Sequence, residues 1–233
     1  MASNSKAIPQ RPVYHLASRS AGIGRANLRR HKLLAAVLLL WTAGAPVCMA
    51  ADISERCFER YEQNAFDEAI PACRNAAELG DVRSQRLMGE IHYFGYGVKK
   101  DAVEAVRWYR LAAEQGDADA QLAIGALYQS GEGVTKSPEE AFKWYSLAVE
   151  QDSQIYNKIA QAALAEMYER GEGIEKSLVL ALKWYFICGY RSDDRELDAL
   201  QKQMSPGEIA QARNLADAWK SKRERLMDSR RGI

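Results

Sequence analysis

The amino-acid sequence predicts an all-α protein, a right-handed solenoid of helix–turn–helix repeats. Gly-x-Gly tripeptides recur at residues 95–97, 131–133 and 171–173, at spacings of 36 and 40. Trp-Tyr dipeptides at residues 108–109, 144–145 and 184–185 recur at the same two spacings. Small residues repeat at helical spacing ahead of each Gly-x-Gly tripeptide. A period of this length is typical of helix pairs that stack on one another to bury their apolar faces.

The first 50 residues have the composition of an export segment. They hold seven of the 32 basic residues and none of the 31 acidic ones, which leaves 25 basic and 31 acidic residues and a net charge of −6 for the remainder. A cationic stretch precedes an apolar run from Leu33 to Ala45, as in secretory signal peptides. We therefore predict a signal peptide over residues 1–50, with cleavage after Ala50. The alternatives are an uncleaved inner-membrane anchor and a lipoprotein modified at Cys48.

Residues 51–81 are predicted to form an N-terminal capping unit. Its first helix is expected at about Ile53 to Tyr61, and a short turn without a Gly-x-Gly tripeptide leads to the second helix. The segment Asn75–Asp81 matches the segment 36 residues later, which ends the second helix of the next unit. The capping unit is therefore a shortened relative of the units that follow.

Three repeats are predicted at residues 82–117, 118–153 and 154–190, each with two helices. The second helix of each repeat follows a residue that can accept the first free N–H groups: Asp101, Ser137 or Ser177. Pro138 directly after Ser137 suits the first turn of a helix. The third repeat is four residues longer, and the insertion is expected within residues 152–159.

Residues 191–233 are predicted to form closing helices and a basic tail. The second closing helix is expected to begin with a capping box, Ser205 with Glu208. For the basic tail two interpretations remain open: a solvated helix end, where cations interact favourably with the helix dipole, and contact with phosphate or another anionic surface.

Several of these motifs together resemble the Sel-one-like (SLR) repeat family, a relative of the tetratricopeptide repeats (TPR). The residues that carry the resemblance, over 66–190, are Ala-Gln-x-x-x-Gly-x-x-Tyr, Gly-x-Gly-Val, Ala-x-x-Trp-Tyr and Ala-Ala-Glu-x-Gly-Asp. The capping unit is itself similar to a TPR. Departures are His92 for Tyr, Ala165 for Gly, and Ile187-Cys188-Gly189 in place of Ala-Ala-x. The resemblance implies an SLR/TPR-like fold and a role as an adaptor or scaffold.

Cys57 and Cys73 are 16 residues apart, and the turn near Ala65 lies midway between them. Antiparallel helices would place them opposite one another, so we predict a disulfide, given export to an oxidising compartment. The resemblance supports this pairing, because some secreted SLR proteins join helix pairs in the same way. Cys188 is the odd cysteine, for which a buried thiol is the simplest expectation.

Three aromatic residues, Tyr93, Phe94 and Tyr96, lie at the end of one helix and in its loop, where the other repeats have polar residues. Aromatic side chains anchor many protein interfaces, so these three are the candidates for partner binding. Local packing of the loop is the alternative. The repeated Trp108, Trp144 and Trp184 are instead expected to fill the core between repeats.

We predict no catalytic, cofactor-binding or metal-binding residues. Two of the three histidines lie in the export segment, and His92 is expected to pack against its neighbouring helix. The only Ser-x-x-Lys motif, Ser3 to Lys6, also lies there, which argues against a β-lactamase-like enzyme. The prediction is a non-catalytic adaptor of the bacterial envelope or secreted space, periplasmic or secreted, that binds another protein or peptide and no nucleic acid. Membrane contact is expected only through an uncleaved N-terminal segment. The alternatives are a structural subunit of a larger envelope machine, resembling a flagellar-motor ring, and a β-lactamase-like or cell-wall-acting enzyme.

Overall fold

The computed structural model describes residues 45–151, 154–189 and 195–231 of the 233-residue chain. Within these ranges there are ten α-helices and no β-strand, so the all-α prediction is confirmed. The helices are α1 (Ala45–Glu62), α2 (Phe66–Glu78), α3 (Val82–Phe94), α4 (Ala102–Glu114), α5 (Ala118–Ser130), α6 (Pro138–Glu150), α7 (Gln154–Arg170), α8 (Leu178–Cys188), α9 (Arg195–Gln201) and α10 (Pro206–Arg231). They belong to the compact unit Ala43–Ile233. The chain's other unit, Met1–Thr42, lies outside the described residues, as does most of the predicted signal peptide.

The helices pack as successive hairpins. Four pairs, α1 with α2, α3 with α4, α5 with α6 and α7 with α8, form the capping unit and the three repeats. Each pair packs on the next through the second helix of one unit and the first helix of the following unit. The first helices α5 and α7 are also in contact. The buried apolar residues of the described chain form four clusters, and these lie mostly between successive units, as stacked repeats require.

The first helix is longer than the sequence suggested. It was expected from about Ile53, but α1 begins at Ala45 and passes through Ala50, where cleavage is predicted. Proline is tolerated in the first turn of a helix, and Pro46 is the second residue of α1. Cleavage after Ala50 would thus remove the first six residues of this helix. Among the described helices, none is both long and apolar enough to span a membrane.

The predicted helix caps are confirmed. Asp101, Ser137 and Ser177 each accept a hydrogen bond from the backbone N–H three residues on, at 3.0, 3.2 and 3.3 Å. Asp81 and Asp117 cap the first helices α3 and α5 in the same way, at 2.7 and 2.8 Å. Each cap satisfies an N–H group that has no partner within its own helix, so the caps fix where the helices begin.

The second glycine of each Gly-x-Gly loop allows a close approach between repeats. Gly133 has φ +74°, and a Cβ there would lie 2.3 Å from the carbonyl oxygen of Ala102 at the start of α4. Gly173 meets the start of α6 in the same way, with Pro138 at 2.4 Å. Any side chain would both strain this backbone and collide with the preceding repeat. The loop therefore contributes to the interface between repeats.

The three repeated tryptophans are buried, which confirms their predicted place in the core. Each one joins the apolar cluster of the preceding unit: Trp108 that of α1 and α2, Trp144 that of α4, and Trp184 that of α6. Arg107, Lys143 and Lys183 lie over their indole rings. Each indole thus buries most of its area between two units, while one face of the ring makes a cation–π contact with the preceding Arg or Lys side chain.

The third repeat begins with a longer helix than the second repeat, and the capping box predicted for the second closing helix is present. Helix α7 has 17 residues where α5 has 13, and the four extra residues lie at its N-terminus, inside the expected interval. Helix α10 begins at the predicted capping box, where Glu208 accepts a hydrogen bond from the Ser205 N–H at 2.7 Å. The Glu208 N–H in turn donates to the Ser205 hydroxyl oxygen at 3.3 Å.

Two cationic side chains of the basic tail bind the C-terminal ends of α6 and α8. The Arg223 guanidinium donates to the carbonyl oxygens of Val149, at 2.6 Å, and Gln151, at the C-terminal end of α6. Lys220 donates to the Phe186 carbonyl oxygen of α8 at 2.9 Å. Cations satisfy the carbonyl groups that a helix leaves without partners at its C-terminus. This part of the tail thus interacts with the C-terminal ends of neighbouring helices, an outcome that neither interpretation of the sequence included.

Candidate partner-binding surface

The disulfide predicted between Cys57 and Cys73 is present and joins α1 to α2. Both residues are fully buried, and their Cα atoms are 4.6 Å apart. In the first two repeats, the equivalent positions of the helix pair hold a glycine under a tyrosine ring: Gly89 under Tyr109 and Gly125 under Tyr145. The disulfide therefore replaces the Gly–Tyr contact between the helices of a unit. Cys188 is buried, and its thiol donates to the Tyr185 carbonyl oxygen at 3.3 Å.

The aromatic candidates do not share one environment. Tyr96 is only 7% exposed and stacks on Phe66 and Phe94, with ring centroids 4.9 and 5.3 Å apart. It belongs to the core of the capping unit, as the alternative of local loop packing anticipated. Tyr93 and Phe94 are half-buried and meet edge to face at 4.9 Å. Their partly exposed rings leave these two as the candidates that a partner can reach.

Tyr93 lies at the junction between the first two repeats. Its hydroxyl donates to Glu132 Oε2 in the loop after α5, at 3.1 Å. Lys100 Nζ lies 2.8 Å from Glu132 Oε1 and 5.0 Å from the centre of the Tyr93 ring. The hydrogen bond from Lys100 lowers the pKa of the Glu132 carboxyl; partial burial opposes this effect, and the hydrogen bond from Tyr93 adds to it. A tyrosine ring and a carboxylate thus hold one ammonium group here.

A polar cluster near the start of α3 was not identified from the sequence. Arg86 pairs with Glu90 at 2.5 Å, and its Nε lies 3.6 Å from Asp117 and 3.7 Å from Asp119. The Tyr61 hydroxyl donates to Glu90 at 2.5 Å. The spacing of Arg86 and Glu90, four residues apart on a helix, could have predicted their pairing. The two aspartates could not be added, because they belong to the next repeat and approach Arg86 only once α5 has packed against α4.

Burial controls the ionisation of these aspartates. It raises the pKa of the Asp119 carboxyl to about 7, although the nearby Arg86 acts in the opposite direction. It also raises the pKa of Asp117. Asp119 keeps 26% of its side chain exposed and therefore remains within reach of solvent. The charged form of such a carboxylate is partly desolvated, and the nearby Arg86 offsets this cost only in part. A further cation that approaches the carboxylate therefore stabilises its charged form.

The remaining titratable groups do not form a metal-binding cluster within the described part of the chain. Glu132 and Glu172 occupy equivalent loop positions but contact different cations, Lys100 and Arg170. His92 is buried, as expected, and burial lowers its pKa. In the described ranges there is no group of three or more His, Cys, Asp or Glu side chains that could hold a metal ion. The Ser3–Lys6 motif lies outside these ranges.

Comparison with known proteins finds the repeat in both sequence and structure. The family model described as Sel1 repeat matches residues 82–117, 118–153 and 158–186. Among solved structures, the chain is similar to a Sel1 repeat protein from Oxalobacter formigenes, with 30% identity and a TM-score of 0.56 over 66% of this chain and 61% of that one. It is also similar to a protective antigen of uropathogenic Escherichia coli strains that displays an SLR fold, with 29% identity and a TM-score of 0.57 over 67% of this chain and 33% of that one. The chain thus spans less than two thirds of the length of either protein. No curated protein matches it.

Proposed function

Since this chain is a Sel1-like repeat protein, we propose that it is a non-catalytic adaptor or scaffold that binds another protein of the bacterial cell envelope or secreted space. Sel1 repeats generally mediate protein–protein interaction. The observation that carries the proposal is the uninterrupted stack of helix pairs from α1 to α8. Such a stack presents one extended surface built from equivalent positions of successive repeats, which suits a peptide or a partner domain.

The binding surface that we propose contains Tyr93 and Phe94 at the end of α3. Both residues are partly exposed, and Tyr96 stacks on Phe94 from the core. The hydrogen bond from Tyr93 to Glu132 fixes the orientation of the ring. An aromatic side chain that is already ordered loses little conformational entropy on binding, so it can contribute strongly to affinity.

Two observations support a location outside the cytoplasm. The Cys57–Cys73 disulfide persists where the compartment is oxidising. Residues 1–50 have the order of charge and apolar residues of an export segment. We therefore propose that the protein acts in the periplasm or beyond, after cleavage near Ala50.

The test is a crosslinked pull-down of the tagged full-length protein from envelope fractions, with the intact mass of the purified product measured on the same sample. We expect one envelope protein to be enriched. The intact mass should correspond to a chain that begins at Ala51 and has lost two hydrogen atoms through formation of the disulfide. Tyr93→Ala should reduce the capture, whereas Leu147→Ala, which removes an exposed apolar side chain from the second helix α6, should not. An uncleaved and fully reduced chain that captures nothing would refute both the location and the adaptor role.

A further inference from the structure

The first helices of the first two repeats share one face, which we call the acidic face. On α3 it contains Arg86, Glu90 and Tyr93, spaced so that they lie along one side of the helix. Asp119 at the start of α5 and Glu132 after its end bound the face, through their contacts with Arg86 and Tyr93. The acidic face therefore runs along α5 and has a carboxylate at each end.

Between these carboxylates, α5 presents only small side chains. Ala123 and Ala126 lie four and seven residues after Asp119, on the same side of the helix, and both reach solvent. From Asp119 to Ser130 the helix rises about 17 Å, at about 1.5 Å per residue. That length fits about five residues of extended peptide at about 3.3 Å each. The alanines leave room for another chain to lie against α5.

The negative charge of the face favours a bound segment with cationic side chains. Among the described residues, its carboxylates and the neighbouring Asp117 number four, against two cations, Arg86 and Lys100. Residues 51–233 as a whole have 31 acidic and 25 basic residues, a net charge of −6, so the field of the chain as well as that of the face favours cations. The raised pKa of Asp119 agrees with a carboxylate that lacks full compensation.

The arrangement of the carboxylates suits a cationic side chain better than a metal ion. The carboxylates are distributed along α5, and in the described ranges no group of three converges to coordinate a metal. Lys100 shows how such a side chain is held, because its ammonium group lies between the Tyr93 ring and the Glu132 carboxylate. Further along the face lie the carboxylates of Glu90 and Asp119, and Asp119 keeps 26% of its side chain exposed.

We propose that the acidic face binds an extended segment of the partner protein, about five residues long and containing lysine or arginine, with Ala123 and Ala126 beneath the segment and its cations at the carboxylates. This inference rests on the proposed function, because it names the kind of segment that the partner presents. The face is built by two adjacent repeats, so neither repeat alone contains the site.

The test uses two fluorescein-labelled nonapeptides, one alternating lysine with alanine and the other glutamate with alanine. Their binding to the disulfide-bonded protein is followed by fluorescence anisotropy at pH 8, where Asp119 is mostly ionised. We expect the lysine peptide to bind, more weakly as salt is raised, and the glutamate peptide not to bind. Equal binding of the two peptides, or no binding of the lysine peptide, would overturn the inference.

Three variants locate the site. The double change Asp119→Asn and Glu132→Gln should weaken binding of the lysine peptide about tenfold, since it removes the carboxylates at both ends. Ala126→Arg should also weaken it, because it places a cation on the floor of the face at an exposed helical position that arginine tolerates. Glu114→Gln removes one negative charge from the exposed end of α4 and should leave binding unchanged. Equal weakening by Glu114→Gln would show that only net charge matters and would overturn the inference.

The pull-down separates this inference from the proposed function. If the crosslinked partner segment contains no lysine or arginine, the acidic face is not a cationic-segment site, although the protein remains an adaptor. If the pull-down captures no partner, the adaptor role itself fails. Circular dichroism melts serve as the control for folding, and each variant should retain the helical signal and a cooperative transition.

Discussion

Removing the Cys57–Cys73 disulfide should destabilise the capping unit more than any other part of the stack. The perturbation is the double change Cys57→Ala and Cys73→Ala, which leaves α1 and α2 joined only by packing and by their turn. The two cysteines are 16 residues apart, and closing a loop of this size stabilises a protein by about 3 kcal/mol in the chain-entropy model. The alanines keep the site apolar, so no buried polar group is added.

The loss should be local because the stability of a repeat protein depends on each unit and its neighbours. In hydrogen exchange followed by mass spectrometry, amides of α1 and α2 should lose protection, those of α3 should lose less, and those of α7 and α8 should be unchanged. Cys188→Ala is the matched control, a buried cysteine outside the disulfide. A double variant that unfolds in urea within about 0.5 kcal/mol of this control, with unchanged exchange in α1 and α2, would refute the reasoning.

Three further predictions follow from the contacts between elements. Gly133→Ala should lower the free energy of unfolding in urea by about 3 kcal/mol or more, because the new Cβ would collide with the start of α4. The control is Gly116→Ala, at a similar positive φ but with nothing within 4 Å. It should lower the free energy of unfolding by only about 1–2 kcal/mol. Arg223→Ala should lower the free energy of unfolding by about 1.5–3 kcal/mol and make α10 susceptible to limited proteolysis, because α10 loses its hydrogen bonds to the end of α6. Arg225→Ala, at an exposed position, should do neither. Equal cleavage of the two variants would contradict the role of Arg223. Burial raises the pKa of Asp119 to about 7 in the fold, so its ionisation opposes folding and stability should fall as pH rises from about 4 through 7. Asp119→Asn should flatten this part of the pH dependence in urea unfolding, and an unchanged profile would show that other groups cause it.

The repeat architecture was predictable because its signals are local or periodic. Helix caps depend on one side chain and an N–H three residues away, so Ser137 and Ser177 could be assigned without any coordinates. The disulfide was predictable for a similar reason, since a turn midway between Cys57 and Cys73 places them opposite one another. The start of α1 was predicted incorrectly, because residues 45–52 fit both a cleavage region and a helix.

The sequence by itself determined which helices form, where most of them begin, and that they stack with tryptophan between repeats. Only the tertiary structure decided which aromatic side chains reach solvent. Tyr93 and Tyr96 are three residues apart, yet Tyr93 is partly exposed and Tyr96 belongs to the core. It also brought Asp119 to Arg86 and Glu132 to Tyr93, across 33 and 39 residues of chain. The physical reason is that caps and turns are set by neighbours in sequence, whereas exposure and pairing between repeats depend on how closely the glycines allow the units to approach.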